Sequence, residues 1–93
     1  MKTIGVAWFR ADEWPALLNA SDDRANLPST FAEFEALAGG KIANFDLKRG
    51  VRLEKVMISV PALLTWCGAT GRSVDGPARA GFAAIMLARR EMN

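Results

Sequence analysis

The 93-residue sequence contains no histidine and no tyrosine. Without histidine, neither a Ser-His-Asp triad nor a Cys-His nucleophile pair can be built. The usual zinc ligand sets are excluded as well, because the chain has a single thiol. General acid–base chemistry would fall to carboxylates or lysine, and none of these stands in a catalytic motif. We therefore expect a protein that is not an enzyme and that binds no metal or other cofactor.

Cysteine is almost absent, with Cys67 as its one occurrence. No intramolecular disulfide can form, which fits a reducing compartment, and we expect a cytoplasmic protein. Cys67 stands between Trp66 and Gly68 in an apolar segment with no base close by in the sequence. This context predicts a small buried side chain rather than a reactive thiol.

Long hydrophobic runs are also missing. No segment approaches the roughly 18 apolar residues of a membrane span. The apolar start of the chain is stopped by Arg10 and Asp12, which makes it a poor signal peptide. The glycines form neither the G-x-G-x-x-G nor the P-loop spacing. What is present is a globular composition, with 51% apolar residues, and a length that suits one domain spanning residues 1–93.

Two segments, 3–9 and 51–60, have the alternating apolar pattern of β-strands. In the first segment both faces are apolar or small, which is typical of a strand covered on both sides. The apolar residues of the second segment fall in two phases, and a β-bulge near Glu54 and Lys55 would reconcile them.

Four helices are predicted between and after these strands from their capping signals and apolar spacing. The signals are Asp12 with Pro15, Thr30 with Glu33, Ser59 with Pro61, and Asp75 with Pro77. Gly39 and Gly40 interrupt the second helix and mark either a kink or the close approach of another backbone. The order is β-α-α-β-α-α, an α/β (or α+β) fold in which helices cover a small two-stranded sheet. The long crossover favours parallel strands.

Two strands make a poor sheet by themselves. We therefore expect a second copy of the chain to extend the sheet, giving a homodimer. The first functional interpretation is a small non-enzymatic domain that acts by self-association or by docking to another protein.

The charges are divided unevenly along the chain and support a second interpretation. Up to Asp46 there are four basic and seven acidic residues, a balance of −3, whereas the remainder has eight and three, a balance of +5. A basic half can bind a phosphate backbone, here through Arg72, Arg79, Arg89 and Arg90. A helix-turn-helix is disfavoured because its second helix is mostly Ala, Gly and apolar residues.

A third interpretation is a small-anion site. Parallel α/β units bind ligands beyond the carboxyl ends of their strands, where helix N-termini offer free amides. The residues predicted to contact a small anion or a partner's carboxylate there are Arg10, Asp12, Trp14, Ser59 and Arg72.

Overall fold

A computed structural model describes residues 2–45 and 50–92. The predicted order β-α-α-β-α-α is confirmed. The elements are β1 (Lys2–Trp8), α1 (Trp14–Ala20), α2 (Phe31–Phe45), β2 (Val51–Met57), α3 (Val60–Thr70) and α4 (Gly76–Glu91). Short 3₁₀ turns at Ala11–Glu13 and Arg24–Asn26 precede α1 and α2.

The two strands form a parallel sheet in unbroken register from Lys2 opposite Val51 to Trp8 opposite Met57. The predicted bulge is therefore wrong, and β2 ends at Met57 instead of residue 60. The apolar residues of β2 fall in two phases because the face of the strand that turns toward α4 is polar at Glu54 and apolar at Val56. Val56 is buried on that face, whereas Glu54 receives a hydrogen bond of 2.7 Å from Arg90 at the end of α4.

Helix α4 lies directly over one face of β1. A Cβ on Gly5 would stand 3.0 Å from Val56 Cγ2 and 3.3 Å from the Ala83 carbonyl oxygen. A side chain at position 5 would therefore push the helix away, and its absence lets α4 approach closely. Under α4 and α3 lies the core, which includes Leu17, Val56, Ile58, Leu63, Cys67, Phe82 and Ala83.

Three of the predicted helix starts are confirmed by side-chain caps. Hydroxyls of Thr30 and Ser59 and the carboxylate of Asp75 each accept a hydrogen bond from the amide three residues later, at 3.0–3.3 Å. Asp12 is the exception. It pairs with Arg10 in a 3₁₀ turn, and α1 begins two residues later with Glu13 in the cap position.

Helix α2 crosses the other face of the sheet, and its first turns carry an aromatic cluster. The Phe34 ring lies 5.0 Å from Trp8 and 4.7 Å from Trp14, centroid to centroid. None of the 15 residues of α2 is fully buried. The helix continues through Gly39 and Gly40, and no atom of residues 2–45 or 50–92 lies within 4 Å of a Cβ added at either glycine, so no described backbone approaches them there.

Candidate functional site

The outer edge of β1 offers free backbone groups. The Lys2 amide donates to the Gly50 carbonyl, and the Trp8 carbonyl accepts from the Ile58 amide. The backbone N–H and C=O groups of the even-numbered residues of β1 therefore point toward β2. Because peptide groups alternate along a strand, the odd-numbered residues Thr3, Gly5 and Ala7 direct their amides and carbonyls away from β2.

Open grooves border this edge along its whole length. A groove of about 390 Å³ runs beside residues 2–5, and a second of about 310 Å³ runs beside residues 5–7 and Phe9. Helix α4 forms part of the wall of both grooves, and Trp14, Leu27 and Phe34 also line the second one, whereas no described residue of β2 lines either. Within the described part of the chain, no strand pairs with this edge.

The wall that α4 presents to the edge is made of small residues. Ala80, Ala84 and Ala88 line the grooves at four-residue spacing, so they share one side of the helix, and all three are exposed. On the strand side Ile4 is 41% exposed, an unusual state for a large apolar residue in a strand. Together the β1 edge and the three alanines form what we call the open edge.

A buried ion pair fixes the position of α4 beside this edge. Arg79 is 8% exposed and donates to both carboxylate oxygens of Asp23, at 2.9 and 2.6 Å, and to the Ser21 hydroxyl at 3.3 Å. Asp23 also accepts the Gly76 amide at 3.1 Å. The hydrogen bond from Arg79 holds the pKa of Asp23 below its ordinary value, although burial opposes that effect.

The charges separate along the axis of β1. Lys2 and Glu91 line the same groove, which shows that α4 runs antiparallel to β1. Bases gather where the strands begin and α4 ends, namely Lys2, Arg52, Arg89 and Arg90. Where the strands end and α4 begins, the acids Asp12, Glu13, Asp22, Asp23 and Asp75 slightly outnumber the bases Arg10, Arg24, Arg72 and Arg79, and two of these bases are paired with Asp12 and Asp23.

The residues predicted to hold an anion are only partly brought together. Arg10 and Asp12 form an exposed ion pair at 3.1 Å. Trp14 is buried, and its indole N–H donates to the Pro28 carbonyl at 3.2 Å, so its polar group is already used.

The other two predicted residues lie at opposite ends of α3. Ser59 caps its first turn, close to the 3₁₀ turn, because Glu13 Oε1 accepts the Val60 amide at 3.1 Å. Arg72 follows the C-terminal end of α3 and stacks over the Trp66 ring at 5.0 Å. Anion binding at the strand ends stays a prediction, with the first amide of α3 held by Glu13.

Two of the arginines predicted to contact phosphates have partners within the chain. Arg79 is enclosed with Asp23, and Arg90 is paired with Glu54. Nucleic-acid binding through this half also stays a prediction, and it now depends on Arg72 and Arg89.

Comparison with known proteins gives no relative from which a role could be transferred: no family model, curated protein or solved structure matches the chain. Within residues 2–45 and 50–92, no group of three or more metal-ligating side chains converges. No helix of the described chain is long and apolar enough to cross a membrane. The assignment of a function therefore depends on the open edge and its surroundings.

Sequence reasoning missed two features of this site. The spacing of Ala80, Ala84 and Ala88 is visible in the sequence, but alanines carry no signal that separates an exposed stripe from a buried one. The Arg79–Asp23 pair joins residues 56 positions apart, and Arg79 was grouped with the surface bases because charged residues are seldom buried.

Proposed function

We propose that this protein is a self-associating module whose open edge pairs with the open edge of a second copy, in antiparallel orientation. The observation that carries the proposal is the outer edge of β1, which pairs with no described strand and directs the peptide groups of Thr3, Gly5 and Ala7 outward. Pairing of two such edges would convert two two-stranded sheets into one four-stranded sheet, which meets the usual requirement for a stable sheet.

The register of the proposed β1–β1 pair is set by the residues whose amides and carbonyls point outward. In antiparallel pairs, residues directly opposite each other exchange both hydrogen bonds at every second position. A two-fold axis at Gly5 places Thr3 opposite the partner's Ala7 and forms about six N–H···O bonds. The same register places Ile4 beside the partner's Val6, which would cover the exposed Ile4 side chain.

The small residues of α4 have a role in this arrangement. Because α4 packs across both strands, over Gly5 of β1 and beside Glu54 of β2, the two-fold axis brings the two α4 helices side by side on one face of the joined sheet, with Ala84 near the crossing point. Helices at the close end of the usual 8–10 Å separation need small contact residues. Ala80, Ala84 and Ala88 supply them.

Charge favours a second copy over an unrelated strand. An antiparallel arrangement sets the basic end of one copy beside the acidic end of the other, and it opposes the two α4 dipoles. The two copies would pair along only about 23 Å of strand, since β1 has seven residues. An interface of that size is at the lower end for stable complexes, so we expect a Kd on the order of 10 μM.

The test is sedimentation equilibrium from 1 to 500 μM or so, a range chosen around the expected Kd. Ala84→Arg places a long charged side chain at the crossing point and should leave the protein monomeric throughout. Ala69→Arg is the matched control, because Ala69 is an exposed alanine on α3 away from the open edge. It should dimerise like the wild type.

A backbone variant tests the strand register separately. Thr3→Pro removes an outward amide while leaving the amides that face β2 intact, so the monomer should fold and dimerisation should be lost. Far-UV circular dichroism verifies folding. A wild type that is monomeric at the highest concentration, or equal dimerisation of Ala84→Arg and Ala69→Arg, would overturn the proposal.

A further inference from the structure

A wide apolar groove lies on the face of the sheet opposite α4. Its volume is about 740 Å³, within the range of small-molecule sites. The sheet contributes Val6 and Leu53, and α2 contributes Leu37, Ala38, Ile42 and Phe45.

The groove lies between the sheet and the turns of α2 that follow Phe34, whose ring packs against Trp8. Two of the apolar side chains that α2 contributes, Leu37 and Phe45, are 60% and 39% exposed. An apolar wall left open in this way gains free energy from any apolar chain that fills it.

Among the described residues that line the groove, Lys41 is the one that carries a charge. No carboxylate of the described residues forms an ion pair with it. Its alkyl stem extends the apolar wall, and its ammonium group can remain at the mouth. The groove thus combines a long apolar lining with the cation of Lys41, which complements a molecule with an apolar tail and an anionic head.

We propose that this groove binds an unbranched alkyl carboxylate of medium chain length, a free fatty acid. The tail would lie between α2 and the sheet, against Val6, Leu53 and Ile42, and the carboxylate would meet Lys41. The site is on the opposite face of the sheet from α4 and its described lining belongs to one copy, so binding does not require the dimer, although Val6 would also lie beside the partner's Ile4.

Isothermal titration of the full chain with octanoate, decanoate and dodecanoate tests whether the groove binds the alkyl chain, because these ligands differ only in its length. Each added CH₂ should raise the affinity by up to about fourfold while the groove still has room. Dodecanol and dodecyltrimethylammonium test whether the carboxylate is recognised, because they replace it with a neutral and a cationic group. Both should bind at least tenfold more weakly than dodecanoate.

Substitutions assign the binding to this groove. Lys41→Gln should weaken dodecanoate about tenfold and leave dodecanol unchanged, whereas Arg24→Gln, which removes an exposed cation outside both this groove and the open edge, should change neither. Ile42→Ser should weaken both ligands, since Ile42 is only partly buried and its loss leaves the core intact. Binding should also raise the thermal midpoint, which separates specific binding from detergent-like unfolding.

Three results would overturn the proposal: no binding of dodecanoate below its micellar concentration, equal affinity for carboxylate and trimethylammonium heads, or an affinity that Lys41→Gln and Ile42→Ser leave unchanged. Because Ala84→Arg blocks the dimer and leaves the groove intact, repeating the titration with that variant keeps the two proposals distinguishable.

Discussion

Among single residues, Asp23 connects the most parts of the chain. Its carboxylate holds the Arg79 guanidinium through two hydrogen bonds and also accepts the first amide of α4. The neighbouring Asp22 accepts the Val74 amide at 3.0 Å, so the segment before α4 is bound at two points. Both side chains of the ion pair are largely shielded from water, which strengthens their attraction and raises the cost of separating them.

We predict that Asp23→Asn lowers the free energy of unfolding by about 3 kcal/mol at pH 7, because Arg79 is left buried without a counter-charge. The measurement is urea denaturation. Asp12→Asn serves as the control, since the exposed Arg10–Asp12 pair should contribute less than about 1 kcal/mol.

The Asp23–Arg79 ion pair should also make the free energy of unfolding depend on pH. Folding lowers the pKa of Asp23 below its ordinary 3.8, so its contribution is present above that value and is lost as pH falls through the folded pKa. The stability difference between wild type and Asp23→Asn should therefore hold from pH 7 to 5 and shrink below 3.8. A difference that grows on acidification would contradict the role of this pair.

Cys67 should react slowly in the native state. It is 2% exposed, and burial raises the pKa of its thiol, so little reactive thiolate is available. We predict that labelling with a disulfide reagent is at least a hundredfold slower than for a free cysteine analogue and accelerates sharply in denaturant. Rapid labelling without denaturant would show that α3 opens locally.

At the scale of elements, glycines mark where the helices pack closely and where they do not. Gly5 is covered by α4 at van der Waals distance, whereas Gly40 in α2 has no neighbour where its side chain would be. The same substitution should therefore act in opposite directions at the two positions.

Gly40→Ala should stabilise the protein by about 1 kcal/mol, because alanine restricts the unfolded chain and favours the helix. Gly5→Ala should destabilise it by about 1–3 kcal/mol, because its Cβ would crowd Val56 and the Ala83 carbonyl. Thermal unfolding of the two variants beside the wild type provides the check. If Gly40→Ala also destabilises, α2 must pack against something at that position.

Features that depend on residues close together in the sequence could be predicted, whereas features that depend on distant residues could not. Helix starts at Thr30, Ser59 and Asp75 were predictable because each cap is completed within three residues. The apolar stripe of α2 was predictable as well, but not that none of its residues would be fully buried. Periodicity reveals which side of a helix is apolar, and it carries no information about how much surface is available to cover that side.

The open edge shows the same limit. That strand 3–9 would lack partners followed from counting strands, because two strands leave edges unpaired. Which peptide groups are free could not be predicted, since the assignment depends on the register of β1 against β2, and the phase of the apolar residues had suggested a bulge instead. The exposed alanines of α4 likewise acquire meaning only once the helix is placed over Gly5.

At the scale of the whole molecule, the proposed self-association would make stability depend on protein concentration. Above the Kd, each tenfold increase in concentration should raise the thermal midpoint by about 3–5 °C for a chain of this length. The midpoint of Ala84→Arg should be independent of concentration. A wild-type midpoint that is constant from 5 to 500 μM or so would argue against a dimer in the expected affinity range.

The parallel register has a further consequence for how the chain folds. Lys2 meets Val51 and Trp8 meets Met57, so every rung of the ladder joins residues 49 positions apart. Closing such a loop costs about 3 kcal/mol of chain entropy before any rung can repay it. The helices can begin to form in microseconds or less, whereas the sheet must await this long-range encounter, which is expected to limit the folding rate. Until residues 51–58 arrive, the apolar first strand is exposed, and this interval is when the nascent chain is most prone to aggregate.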